Sequence, residues 1–296
     1  MVALIDGRPA PATTPTRSSG SINKKGPVRW IVLAAAIATG VLMAAPFLVL
    51  ILNAFRTQSD YATNGPFSIP EHLTLSAFTR YLRDVNFPQA LWNSVVISLL
   101  VALIGVVIAL LASYAIGVGR IRGGTLVTGM LFFATMLPQE AIIYPLFYGA
   151  QELGLRDSIW SVVIIFAVLQ AAFGTYLLGS TFGTFPPALL EAARLDGANR
   201  WQILWRVVFP VMRPTLSVLV IFFFIWTWNE FYIPVVMLTD PTNQTVPIAL
   251  STLRGQLSTD VTELNAGSLL SLLPTLLFFL FFQRTLTRGI TAGAVK

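Results

Sequence analysis

The sequence predicts an all-α membrane protein that crosses the bilayer six times. Two observations carry this. Hydrophobic residues make up 55% of the 296-residue chain and charged residues only 11%, whereas a soluble domain carries about 25% charge. The apolar residues also cluster into six blocks, at about 30–54, 91–118, 125–148, 158–179, 215–238 and 266–282. Each is close to the roughly 20 residues of helix that span a bilayer core. The second block is long enough to tilt or to overrun the core at one end. Period-two alternation is not visible, which argues against a β-barrel.

The block at 30–54 is too long for the apolar part of a signal peptide and lacks a small-residue cleavage site, so it reads as a retained first span. Ahead of it, residues 1–29 are rich in Pro, Ser, Thr, Ala and Gly and carry Arg8, Arg17, Lys24, Lys25 and Arg29. This composition reads as a disordered basic tail, leaving 30–296 as the six-helix transmembrane domain. With the N-terminus inside, 14 of the 19 Lys and Arg fall on the inner side, and five (Arg56, Arg80, Arg83, Arg156 and Arg254) on the outer side. That bias predicts cytoplasmic N- and C-termini. Two outer segments, 55–90 and 239–265, are long enough to meet an external partner. Their turn signals are Asn64-Gly65-Pro66, Ser68-Ile69-Pro70 and Asp240-Pro241.

Several functions are disfavoured. The net charge of +6 is spread between apolar blocks, which argues against a nucleic-acid groove. The chain has no Cys, so disulfides and thiolate chemistry are excluded. Its single histidine, His72, has no partner set for a metal. No phosphate-binding loop of either common pattern occurs. Gly117-Val118-Gly119, followed by Arg120 and Arg122, reads as a helix stop with basic anchors. No residue is assigned a catalytic or metal-binding role, and the chain is not expected to be an enzyme.

Two carboxylates stand out because ionisable groups within a span are costly and face protein or water. Glu140 lies between Pro138 and Pro145, whose missing N–H groups predict a kinked third helix. Glu230 lies in Trp226-Thr227-Trp228-Asn229-Glu230-Phe231. Trp228, Asn229, Glu230 and Phe231, with Glu140, are candidates for a solute pathway, since aromatic rings beside an amide and a carboxylate suit a polar, ring-shaped solute such as a sugar. The plainer alternative is an aromatic belt whose polar groups bond to neighbouring helices. A buried carboxylate at Glu140 or Glu230 also fits an ion-coupled secondary transporter, although no convincing repeat relates the two halves. A membrane scaffold that transports nothing is a third possibility.

The most informative inner segment is 185–210. Pro186 and Pro187 suit the first turn of a helix, and Leu189, Ala192 and Ala193 share a face of it. Leu195-Asp196-Gly197 ends that helix, with Gly197 able to turn left-handed. Asn199 caps a second short helix through Ile203, Leu204 and Val207, and Pro210 is expected to stop it. The result is a helix-turn-helix knuckle held between two spans.

This segment resembles the EAA loop of the membrane subunits of bacterial ABC importers. Glu191-Ala192-Ala193, three residues, then Gly197 match the core pattern, with Asp196 and Pro210 beside it. Phe209 ahead of Pro210 is a mild departure, since the family has Leu there. Trp228-Asn229-Glu230-Phe231 and the C-terminal segment 288–296 are similar to the maltose-type, carbohydrate-importing branch. The resemblance covers about residues 30–296. It implies a bacterial inner-membrane complex with a second homologous permease subunit, an ABC ATPase dimer docked on this loop, and an extracytoplasmic solute-binding protein that the outer segment 239–265 contacts. ATP and Mg would be used by the partner ATPase, with no cofactor in this chain.

Overall fold

The computed structural model describes residues 27–119, 121–183, 185–253 and 260–294, so most of the expected basic tail lies outside the described residues. The first helix, α1 (Pro27–Ala54), begins ahead of its apolar block, at a proline suited to a first turn. Residues up to Leu48 form a unit of their own. In it Trp30, Val41, Leu42 and Phe47 are all exposed, the pattern of a helix that needs lipid or another protein around it.

The second unit starts at Val49. Its core is α4 (Phe87–Gly117), α7 (Ile159–Phe182) and α10 (Phe209–Trp228), joined by α13 (Val261–Ala294). Small residues let the first three approach closely. Gly105 faces Ala167, Gly174 faces Ala109, and Gly117 faces Phe182. These three pairs rise together along both chains, so α4 and α7 run parallel. The Phe223 ring of α10 lies against both Gly105 and Gly174. Near the end of α4, the Tyr114 hydroxyl donates to the Arg200 carbonyl; near its start, the Ser94 hydroxyl accepts from the Val246 amide. Residues 200–246 therefore run antiparallel to α4.

This gives the unit two ends. One gathers 117–124 and 185–210; the other gathers 55–90, Ser158 and 239–253. Residues 124–152 must travel from the first end to the second. They do so as two helices, α5 (Gly124–Ala134) and α6 (Gln139–Glu152), bent by 97°. One kinked span was expected here. The break instead falls at residues 135–138, where Pro138 is extended and begins α6 afresh, while Pro145 sits inside α6. Among the described residues five helical runs are long and apolar enough to cross a membrane, or six with the bent pair counted as one broken span.

Two further expectations are corrected. Pro210 does not stop the second short helix. α9 (Arg200–Ile203) continues through a π-turn, Leu204–Val208, directly into α10. The Phe209 amide reaches back to the Leu204 carbonyl, and this widened turn accommodates a proline that has no N–H to give. The fifth span also ends early, at Trp228 rather than near 238. Pro234 cannot donate to the carbonyl four residues back, so the helix breaks upstream of it and resumes as α11 (Tyr232–Met237).

The segments 55–90 and 239–265, expected to lie outside, are more ordered than loops. The first contains α2 (Gln58–Asn64) and α3 (Ser76–Asp84), and the other contains α12 (Val246–Ser251). Arg56 has no exposed surface and holds the first segment together. Its guanidinium donates to the carbonyls of Gly65 and Ser68 and to the Ser68 hydroxyl, each at 2.7 Å, and pairs with Asp60 at 3.5 Å.

Candidate functional site

The 185–210 segment forms a rigid knuckle at one end of the bundle. α8 (Pro187–Leu195) starts on two prolines and is anchored by the buried Ala193. It closes on Gly197, whose φ of +75° is left-handed; the Ala198 amide then returns to the Ala193 carbonyl. Asn199 and Gln202 form a reciprocal capping box, at 2.9 and 2.8 Å, that starts α9. Ile203 and Leu204 plug the core, and the Tyr114 hydroxyl ties α9 to α4. Outward, Leu195 is 89% exposed and Trp201 63% exposed. Glu191, Ala192 and Asp196 are exposed too. Among the described residues Glu191 has no ion pair. A Cβ at Gly197 would meet nothing within 4 Å.

The proposed pathway residues separate. Glu140 is exposed in the first turn of α6. Glu230 is half-buried in the break between α10 and α11. It accepts from the Gln139 side chain at 3.4 Å and from the Tyr232 amide at 3.3 Å. Asn229 spends its side-chain N–H on the Ile225 carbonyl, where α10 ends, and Phe231 is exposed. Trp228 does not face outward with them. It is 3% exposed and stacks on Phe224, which itself stacks on Phe278 of α13. The bend after Trp228 separates its direction from that of Glu230.

Sequence reasoning missed most of the remaining face. Phe222 and Trp226, one helical turn apart on α10, pack with Phe173 of α7 into a half-exposed aromatic cluster. Phe132 of α5 packs on Tyr176 of α7. Beside them a cavity of about 340 Å³ lies in the angle of α5 and α6, edged by Thr135, Gln139, Thr175 and Trp226. Behind it the buried Gln170 donates to Thr227 at 2.8 Å. The i,i+4 spacing of Phe222 and Trp226 was the available signal, but it is indistinguishable from core or lipid contact.

At the opposite end Asp157 acts as a clasp. Its carboxylate accepts from the amides of Thr239 and Asp240 and from the Thr239 hydroxyl, while its own carbonyl accepts from Asn243. Asn93 donates to the carbonyls of Thr242 and Gln244. These bonds fix the path of 239–246 over the ends of α4 and α7. Among the described residues no group of three or more His, Cys, Asp or Glu could hold a metal.

Residues 105–291 match the family described as "Binding-protein-dependent transport system inner membrane component". The chain belongs to that family. The match takes in the bent pair, the knuckle, and most of the aromatic face. This permease is 32% identical to a putative ABC transporter permease of Streptomyces antibioticus over 77% of this chain and all of that one. It is 29% identical to the arabinooligosaccharides transport system permease AraQ of Halalkalibacterium halodurans, over 90% of this chain and 96% of that one. Against the trehalose transport system permease SugB of Mycobacterium tuberculosis it is 30% identical, over 77% and 84% of the two chains. A chain of a bacterial ABC transporter that imports alginate has the same fold, with a TM-score of 0.76 at 23% identity over 87% of this permease and 96% of that chain. The permease is thus the transmembrane component of an ABC-type importer that couples to a separate ATPase, with a transport rather than a catalytic role. This removes the ion-coupled carrier and the inert scaffold. Family membership also implies a paired permease, an ATPase and a solute-binding protein.

Proposed function

We propose that this permease forms half of an ATP-driven uptake pathway for a mono- or oligosaccharide or a related polar solute, in the carbohydrate-importing branch, with both termini cytoplasmic. The observation that carries the coupling half is the knuckle. α8, Gly197 and α9 form an element tied down by the Ala198–Ala193 backbone bond and the Asn199–Gln202 capping box, and its exposed Leu195 calls for a partner surface. In this reading Glu191, Ala192, Ala193, Asp196 and Gly197 dock into the ATPase, and the unbroken run from α9 through Pro210 into α10 carries the motion into the membrane. The basic bias of that end supports its cytoplasmic assignment.

The solute half rests on the face of α5, α6, α7 and α10. Aromatic rings at Phe173, Phe222 and Trp226 offer flat apolar surface, and Gln139 with Glu230 offers hydrogen-bonding edges, as sugar rings require. Glu140, Asn229 and Phe231 border it; Trp228 supports it from behind. Relatives named for arabinooligosaccharide and trehalose transport favour this solute class. The binding protein would meet the end clasped by Asp157. The test is uptake by proteoliposomes holding the full complex, with ATP and no proton or sodium gradient. Uptake of a labelled oligosaccharide is expected; uptake that needs an ion gradient would contradict the reading.

A further inference from the structure

We infer that the inner flank of the permease, between the end of α4 and α9, binds the head and upper chains of an anionic phospholipid. Two adjoining cavities lie there, sharing Tyr114, Gly119 and Arg200. The larger, about 530 Å³, is lined by Arg194, Asn199 and Arg200 beside Tyr114 and Val118. The other, about 360 Å³, is lined by Leu111, Ala115, Ile121, Trp201 and Leu204 along the flank of α4. No carboxylate lines either one. Neither Arg194 nor Arg200 makes an ion pair among the described residues.

The chemistry of the pair selects the occupant. Two guanidinium groups at the rim of a hollow of mixed polarity match a phosphate, since each can offer a planar fork of donors. The attached groove is mostly apolar and follows the last turns of α4, so a ligand that fills it as well as the hollow must carry hydrocarbon. Trp201 stands exposed at the seam, the position that an amphipathic ring takes at a headgroup layer. A free anion would use the arginines and leave the groove empty. An acidic loop of the ATPase would meet α8 but would not follow the flank of α4. Only a lipid uses both cavities. The site lies directly beneath the knuckle, so an occupied site would brace α9 against α4 where the Tyr114–Arg200 bond already joins them. This deepens the coupling reading and rests on it for the membrane level of this end.

The test uses the full chain in a zwitterionic detergent and follows its thermal unfolding. Phosphatidylglycerol is expected to raise the midpoint saturably, and phosphatidylcholine and inorganic phosphate are expected to leave it unchanged. Arg194→Gln with Arg200→Gln should abolish the shift, whereas Arg83→Gln with Arg156→Gln, which removes the same charge at the other end, should retain it. If the first pair fails to fold, each single variant is read instead, with the half-saturating lipid concentration rising about fivefold per guanidinium lost. A shift with phosphatidylcholine, a shift with inorganic phosphate, or full retention in the arginine variants would overturn the proposal. The readout uses neither ATPase nor transport, so failure of the docking reading would leave the shift intact, and loss of the shift would leave docking untouched.

Discussion

The Tyr114 hydroxyl donates to the Arg200 carbonyl at 2.9 Å, joining the last turns of α4 to the first turn of α9. The bond crosses from a membrane-spanning helix to the element that follows the Gly197 turn. Tyr114→Phe removes the donor and keeps the ring. A single neutral hydrogen bond contributes about 1 kcal/mol, so insertion and ATPase copurification should persist with a small loss of thermal stability. Because the bond braces the knuckle, ATP hydrolysis stimulated by loaded binding protein should fall more than copurification does. Equal loss of both would make the bond a purely local one.

Arg56 should be the costliest residue of the 55–90 segment to change. It is fully buried, and its fork is spent on Gly65, Ser68 and Asn53 with Asp60 beside it. Arg56→Ala leaves partly buried carbonyls and a carboxylate without their cation, a loss on the order of 3 kcal/mol. Arg56→Lys should recover little, since an ammonium cannot reproduce the planar fork. Thermal unfolding of both variants measures this; a lysine variant as stable as the native chain would contradict it.

The spans were legible in the sequence because lipid imposes composition: a long run of apolar residues without charge is at home in a bilayer and almost nowhere else. The knuckle was legible from its prolines, Gly197 and Asn199, each of which has a local backbone reason to be there. Pro210 was misread because a proline signals a missing N–H and not how the chain compensates; the π-turn at 204–208 is a tertiary solution. Glu230 and Trp228 are close in sequence yet separate in space, since hydropathy does not mark the helix end between them. Arg56 counts in the sequence only as one of five basic residues assigned to the outer side, and nothing there sets Asp157 apart. The partners of Asp157 lie 82 to 86 residues away, where no local pattern encodes the meeting; those of Arg56 lie within 12 residues, but only the fold of 65–68 back onto the end of α1 brings their carbonyls to it.

The Asp157 clasp gives a pH dependence. Its carboxyl is held below the ordinary range, first by the Thr239 hydroxyl and then by the Asp240 amide. A lowered folded value means that the charged clasp contributes fully above the unfolded pKa and is lost as pH falls through the folded one. Amide exchange at Thr239 and Asp240, corrected for intrinsic rates, should therefore speed up as the medium is acidified. Asp157→Asn tolerates the left-handed φ of 56° but lacks the charge, so it should exchange fast at neutral pH and show no such dependence. A native-like response in that variant would exclude the clasp.

Close helix approach at Gly174 is a packing requirement. A Cβ there would lie 2.8 Å from the Ala109 Cβ and 3.0 Å from the Phe223 ring. Gly174→Val should force α7 away from α4 and α10, at about 1–3 kcal/mol as in other overpacked cores. Gly179→Val, with nothing within 4 Å of its Cβ, is the matched control. Comparable yields and melting of the two variants would argue against close packing at Gly174.

The coupling role of the knuckle is tested most directly at Gly197. Its surroundings are open, so a side chain there costs about 1–2 kcal/mol of backbone strain and projects from the face proposed to dock. The measurement is ATP hydrolysis by the reconstituted complex, with and without loaded binding protein, for native chain and Gly197→Asp, alongside copurification of the ATPase. Gly197→Asp is expected to insert and to pair with its partner permease, while the ATPase docks weakly and stimulation by loaded binding protein is lost. Normal copurification with native stimulation would contradict it.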